Sequence, residues 1–182
     1  MATVFERDDQ ALELEALRDN PVALLRAAQA QFGEKLAVLS SFGAESALLL
    51  AMVAEADPAM RVLFLNTGRH FPETIAYRRD LAAFLGLTNV VDIDPDPARV
   101  AQNDPTGELW ACEPDAGCAL RKVEPRRLAS LGYEGMETGR KRGAGANRGK
   151  RDVVERRGEG EKRGTRLLRS RRESGTMARG TW

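Results

Sequence analysis

Cysteine is scarce in this sequence: Cys112 and Cys118 are the only two thiols among 182 residues. Two thiols do not make a disulfide framework, and reduced side chains are expected of both. Histidine is scarcer, with His70 standing alone, and a lone histidine reads as structural. No apolar run approaches the ~20 residues needed to cross a bilayer; the longest covers residues 47–54. The opening MATVFERDDQ is acidic where a secretory signal would be basic and then apolar, so a cytoplasmic protein without a membrane partner is expected. Aromatic content of 5% and a mean hydropathy of −0.41 are low for a packed domain. The length nevertheless allows one domain with a real core.

The formal net charge of +1 hides a division. Residues 140–182 hold 15 basic and 5 acidic side chains, against 13 and 22 in residues 1–139. Halves of opposite sign indicate two kinds of polypeptide. The first kind punctuates itself. Asp8 and Asp9 open a short helix over residues 10–18. Asn20-Pro21 supplies an N-cap and a first-turn proline for a helix over residues 22–32. Residues 36–39, 62–65 and 89–93 are compact apolar runs that suit buried strands. Helices are expected from the loop at residues 40–44 to about Ala56, from Pro72 to about Gly86, and over residues 116–131. Alternating strands and helices with short links predict an α/β fold, a parallel sheet with helices on both faces.

Beyond Arg142 the periodicity stops. Residues 143–182 are rich in arginine and glycine, and their only apolar pairs are Val153-Val154 and Leu167-Leu168. Such a stretch buries too little to offset its chain entropy, so disorder is expected there. The expected division is a nucleotide-binding domain at residues 1–142 and a basic tail at residues 143–182.

Two strand ends carry the chemistry. After the first strand stands Ser40-Ser41-Phe42-Gly43-Ala44-Glu45-Ser46. A small-residue turn between a buried strand and a helix lets backbone N–H groups and hydroxyls face an anion, aided by the helix dipole. A merely tight turn is an equal reading of that loop taken alone. No GxxxxGK[ST] sequence is present, which excludes a Walker-type loop. After the second strand stands Asn66-Thr67-Gly68-Arg69, followed by His70 and Phe71-Pro72-Glu73-Thr74. Ligands of open α/β sheets gather at such carboxyl ends. Arg78, Arg79, Arg126 and Arg127 read as solvated helix surface.

Together these segments resemble the sulfonucleotide reductase family (adenylyl-sulfate and phosphoadenylyl-sulfate reductases) of the ATP-pyrophosphatase-like, adenine nucleotide alpha hydrolase-like superfamily. Residues 40–46 look like its phosphate-binding loop, and residues 66–69 with 71–74 like its second signature. Cys118-Ala119-Leu120-Arg121-Lys122-Val123-Glu124-Pro125 is similar to its cysteine–basic–proline segment. Tyr133 and Thr138-Gly139-Arg140-Lys141-Arg142 resemble its basic turn. The likeness is read over residues 22–142. It implies a Rossmann-like fold and thioredoxin-dependent reduction of adenylyl sulfate or phosphoadenylyl sulfate to sulfite in sulfate assimilation. It also implies substrate contacts from Ser40, Ser41, Phe42, Gly43, Ala44, Glu45, Ser46, Asn66, Thr67, Gly68, Arg69, Arg140, Lys141 and Arg142. Arginine forks suit sulfate and phosphate oxygens.

The family pattern is broken in three places. Its adenylyl-sulfate branch binds a [4Fe–4S] cluster through an adjacent cysteine pair and a later C-x-x-C. Here Gly117 precedes Cys118, which is left as the remnant of a ligand set, and four thiolates are required. The family's nucleophilic cysteine, in a late Glu-Cys-Gly segment, has no counterpart after Cys118. The likeness is read to end at Arg142, where charge and periodicity change, as a truncation or a shifted reading frame would produce. No cofactor and no catalytic residue is therefore expected within this chain. A catalytically dead nucleotide-binding fragment is the competing reading, followed by an ATP-pyrophosphate-cleaving ligase. Nucleic acid is not the expected partner: the basic tail lacks interleaved aromatics and no recognised module is visible.

Overall fold

A computed structural model describes residues 13–138, 154–155 and 166–168. Residues 13–16 are helical. Helix α1, Pro21–Phe32, is opened by Asn20, whose side-chain oxygen accepts from the Ala23 amide at 3.1 Å, with Pro21 at its first position. Strand β1 is Leu36–Ser40, and a 3-10 turn, Ala44–Ser46, leads into helix α2, Ala47–Ala56. Strand β2, Val62–Leu65, helix α3, Pro72–Phe84, and strand β3, Val90–Ile93, follow. Each of the helices that open on proline spends a residue without an N–H where the helix has no acceptor for one.

The helix expected over residues 116–131 is present as an unbroken helical run over residues 114–130, with a π-helical turn inside it. Helix α4, Pro97–Asn103, and the single turns α5, Leu109–Cys112, and α6, Pro114–Cys118, come first. A π-helical turn, Ala119–Val123, then joins α6 to helix α7, Glu124–Ser130. Pro125 is the physical cause. It offers no N–H to the Arg121 carbonyl, and its ring would clash with that carbonyl in a regular α-helix, so the turn before it widens.

Strand β4, Gly135–Thr138, takes in residues 135–137, for which the sequence suggested no element, and the first residue of the basic turn. It pairs in parallel with β1, from Leu36 opposite Gly135 to Leu39 opposite Thr138. Two short strands come from the stretch expected to lack regular structure: β5, Val154–Glu155, and β6, Arg166–Leu168. The sheet order is β3-β2-β1-β4-β6-β5, parallel except for the β5–β6 pair. Val154 lies in β5, and the apolar pair Leu167-Leu168 lies in β6.

Alternation in β1 and β2 sends side chains to two faces. Leu36, Val38, Val62 and Phe64 pack with Leu24, Leu25, Leu49, Leu50 and Val53 of α1 and α2, and with Ala82 of α3. On the opposite face Ala37, Leu63 and Met136 form a smaller cluster with Leu39, Ile93 and Tyr133. There α7 lies against β3. The result is the α/β parallel sheet with helices on its faces that the segment order predicts. Among the described residues no helix is long and apolar enough to cross a membrane.

Candidate functional site

Strand order decides where a ligand can sit. From β1 the chain goes to β2 and β3 on one side, then returns to β4 on the other. The crevice beyond the carboxyl ends of β1 and β4 is the topological switch point, the usual ligand position in such sheets. Residues 40–46 leave β1 there, residues 66–69 leave neighbouring β2, and Thr138 ends β4. Arg140, Lys141 and Arg142 lie outside the described residues.

The first loop is tightly self-bonded. Ser40 is buried, and its Oγ accepts from the Phe42 amide at 3.1 Å. The Gly43 amide reaches Ser41 Oγ at 3.5 Å, and the Ser41 and Ser46 hydroxyls stand 3.4 Å apart across the turn. Phe42 adopts a φ of +52°, a left-handed conformation costly for a bulky residue. Its ring is 1% exposed and meets Phe64 edge-on, with centroids 5.7 Å apart. Gly43 and Ala44 are exposed, so backbone can approach a ligand there.

Arg78 corrects the reading of it as solvated helix surface. Its side chain is only 17% exposed, lies over the rings of Phe42 and Phe64 at 6.0 and 5.6 Å, and pairs with Asp92 of β3. A cation over two aromatic faces under the first loop is a prop for that loop. The β-strand position of Asp92 was readable in the sequence, but the helix-to-strand register that pairs it with Arg78 was not.

The second loop is built from side-chain-capped turns. Asn66 Oδ1 accepts from the Gly68 amide at 3.1 Å, and Thr67 Oγ1 accepts from the Arg69 amide at 3.2 Å. Asn66 Nδ2 donates to Asp94 at 2.9 Å. Gly68 has a φ of +66°, which glycine adopts freely. His70 Nε2 donates to the Leu65 carbonyl at 3.0 Å and its ring lies 5.0 Å from that of Phe64. The histidine is thus structural, as a lone one was read. The Phe42 and Gly43 amides, in the loop expected to face an anion, are held inside their turn, as are the Gly68 and Arg69 amides in the second loop. The Ser41 and Ser46 hydroxyls and the exposed Arg69 remain on the outer side.

A third group was not singled out from the sequence. Asp104, 5% exposed, accepts from the Leu109 amide at 3.0 Å and from Arg121 Nη2 and Nε at 2.6 and 3.2 Å. Arg121 Nη1 donates to the Thr67 carbonyl at 3.1 Å. The Arg121 hydrogen bonds, then the Leu109 amide, hold the Asp104 carboxyl below the usual carboxylate range, against the opposing effect of burial. Buried Gly107, with a φ of +76°, lies against Arg69: a methyl there would stand 2.9 Å from Arg69 Cζ. The signal in the sequence was Asp104-Pro105-Thr106-Gly107, a turn pattern with an acceptor at its start.

Cys112 and Cys118 are both exposed and free. Gly117, where the family resemblance calls for a cysteine, is buried. A Cβ there would meet the Trp110 amide nitrogen and Cα at 3.4 Å, so the position faces the backbone of α5. Among the described residues no group of three or more His, Cys, Asp or Glu side chains is placed to hold a metal.

Residues 35–169 match the family model described as the phosphoadenosine phosphosulfate reductase domain. The chain belongs to that family. The match runs past Arg142 and includes β5 and β6, so the likeness does not end where the sequence reading placed its boundary. The chain is 45% identical over 130 residues to the adenosine 5'-phosphosulfate reductase of Mesorhizobium japonicum, covering 71% of this chain and 51% of that one. It is 42% identical over 155 residues to the enzyme of the same name from Chelativorans sp., covering 83% and 63%. A phosphoadenosine 5'-phosphosulfate reductase of Gloeobacter violaceus is 41% identical over 137 residues, covering 74% and 56%. The chain thus spans about half to less than two thirds of these relatives. The crystal structure of a phosphoadenylyl-sulfate reductase from Candida auris, a phosphate complex, superposes with a TM-score of 0.64 at 23% identity, over 86% of this chain and 77% of that one. That likeness establishes the fold.

Proposed function

We propose that this chain carries the nucleotide-binding half of a sulfonucleotide reductase and takes adenylyl sulfate or phosphoadenylyl sulfate at the carboxyl ends of β2, β1 and β4. The observation that carries the reading is the adjacency of three motif-bearing strand ends at the switch point of a chain that belongs to this family. Ser41, Ser46 and Arg69 are the exposed or half-exposed groups that would meet the phosphosulfate, with Arg140, Lys141 and Arg142 completing the cationic side. Gly43 would allow close backbone approach. In the whole reaction the sulfuryl sulfur gains two electrons, and sulfite and the adenosine nucleotide are released. A dithiol is oxidised to a disulfide, with thioredoxin proposed as that donor and the cytoplasm as the compartment.

The residues present do not fit a [4Fe–4S] cluster. Four thiolates are needed; the sequence holds two cysteines, and the position beside Cys118 is a glycine packed on backbone. Residues 119–182 contain no thiol, so a cysteine nucleophile would have to come from outside these residues. Binding without turnover is the second reading, since these residues supply no such thiol of their own.

Calorimetric titration with adenylyl sulfate, phosphoadenylyl sulfate and adenosine monophosphate tests the site. Saturable binding of a sulfonucleotide, weakened in Arg69→Ala, is expected; no heat with any of the three would refute the reading. Adding thioredoxin and assaying sulfite separates turnover from binding alone.

A further inference from the structure

We propose that Asp104 is a positioning residue for the second strand-end loop, acting through Arg121 to fix the Thr67–Gly68 peptide. The inference rests on the site reading above for its functional meaning, but its geometry stands apart from it. The Thr67–Gly68 peptide is clamped at both ends. Its carbonyl accepts from Arg121 Nη1 at 3.1 Å, and its N–H donates to Asn66 Oδ1 at 3.1 Å. In a trans peptide these two groups point in opposite directions, so holding both fixes the plane. Arg121 is itself held: two of its nitrogens bond Asp104 Oδ2, and its side chain is 12% exposed. The other Asp104 oxygen is tied to the Leu109 amide.

The same turn touches the loop a second time. The Gly107 amide donates to the Asp104 carbonyl at 3.1 Å, and Gly107 presents a bare Cα surface to the Arg69 guanidinium. The Asp104 carboxylate therefore governs the direction of Gly68 through Arg121, while its backbone carbonyl anchors Gly107, against which Arg69 rests. A buried carboxylate with three donors is rigid, because releasing any one leaves charge unsatisfied. The loop that would meet the substrate is consequently preorganised by a residue at the end of α4 that does not itself face the crevice.

Asp104→Asn tests this in the full chain. The asparagine oxygen can keep the Leu109 bond, while its amide turns a donor toward Arg121. Amide hydrogen exchange at Gly68 and Arg69 is expected to accelerate by about tenfold to a hundredfold, the range a charge-assisted hydrogen bond carries. Exchange at Val38 and Val62, in the sheet core, should stay unchanged. Sulfonucleotide affinity should fall by a similar factor, and Arg121→Gln combined with Asp104→Asn should lose no more than Arg121→Gln alone. Unchanged exchange at Gly68 and Arg69, or additive losses in the double variant, would overturn the proposal. Should Asp104→Asn fail to fold, Arg121→Gln alone carries the exchange test, since it leaves the Asp104–Leu109 bond in place. If the wild type binds no sulfonucleotide while exchange responds as expected, the positioning role stands and the site reading fails.

Discussion

Phe42 holds a left-handed backbone at φ +52°, which costs a non-glycine residue roughly 1–2 kcal/mol. Burial of its ring against Phe64 and under Arg78 offsets that cost, since a fully buried phenylalanine contributes about 1.5–3 kcal/mol. An unusual ranking follows. Phe42→Ala should lose about 3–5 kcal/mol in urea denaturation, and Phe42→Gly should be the more stable of the two variants by about 1 kcal/mol, because glycine relieves the strain. At an ordinary position alanine would win, so alanine ranking above glycine here would refute the strain argument. Asp104 makes the second residue-scale prediction. Its folded carboxyl is held below the ordinary aspartate value of about 3.9. The folded state then binds fewer protons than the unfolded one, so the contribution is present above the ordinary value and lost as pH falls through the lowered one. Denaturant midpoints taken from pH 6 down to pH 3 should drop more steeply in the wild type than in Asp104→Asn. Equal acid slopes would remove Asp104 from the account.

Helix and strand boundaries were legible wherever one residue type carried a local physical signal. The Asn20-Pro21 cap, the proline at Pro72 and the apolar runs at Val62–Leu65 and Val90–Ile93 needed no tertiary information. The helix over residues 116–131 was legible as well, but residues 97–113 were not, because short turns there are set by tertiary bonds such as Leu109 to Asp104 rather than by periodicity. Strand β4 was missed for a similar reason. Gly135-Met136-Glu137-Thr138 has little apolar content, and Glu137 is buried in the sheet opposite Val38. Its place depends on close packing that glycine permits. A Cβ at Gly135 would stand 2.8 Å from Phe32 Cδ2 and 2.9 Å from Leu36 Cδ1. Gly135→Val should therefore push β4 away from α1 despite the better strand propensity of valine. The expected loss is about 1–3 kcal/mol, as overpacked cores show; a variant that melts at or above the wild-type temperature would mean that the helix yields instead.

At the scale of the whole molecule the motif order in the sequence, together with the strand order 3-2-1-4, sets the ends of β2, β1 and β4 side by side, and with them residues 40–46 and 66–69. After Arg142, where composition predicts a tail, the described residues are the five of β5 and β6. Its charge and glycine content argued against regular structure, yet Leu167 and Leu168 lie beside Met136 and Glu137 in the β4–β6 pair, and the family match continues to residue 169. A sheet edge can recruit a weakly patterned segment because the partner strand already holds its backbone groups in register. The proposed division at Arg142 can be tested by ending the chain there. Met136 and the β1–β4 pairing remain in such a chain, so it should fold and keep the α1–α3 core, but β4 becomes an edge. Loss of a few ladder hydrogen bonds at about 0.5–1.5 kcal/mol each should lower the melting temperature by several degrees. An unchanged melting temperature would mean that β5 and β6 add nothing to stability. A shortened chain without a cooperative transition would instead make residues 143–182 part of the folding unit, and the boundary at Arg142 would have to be given up.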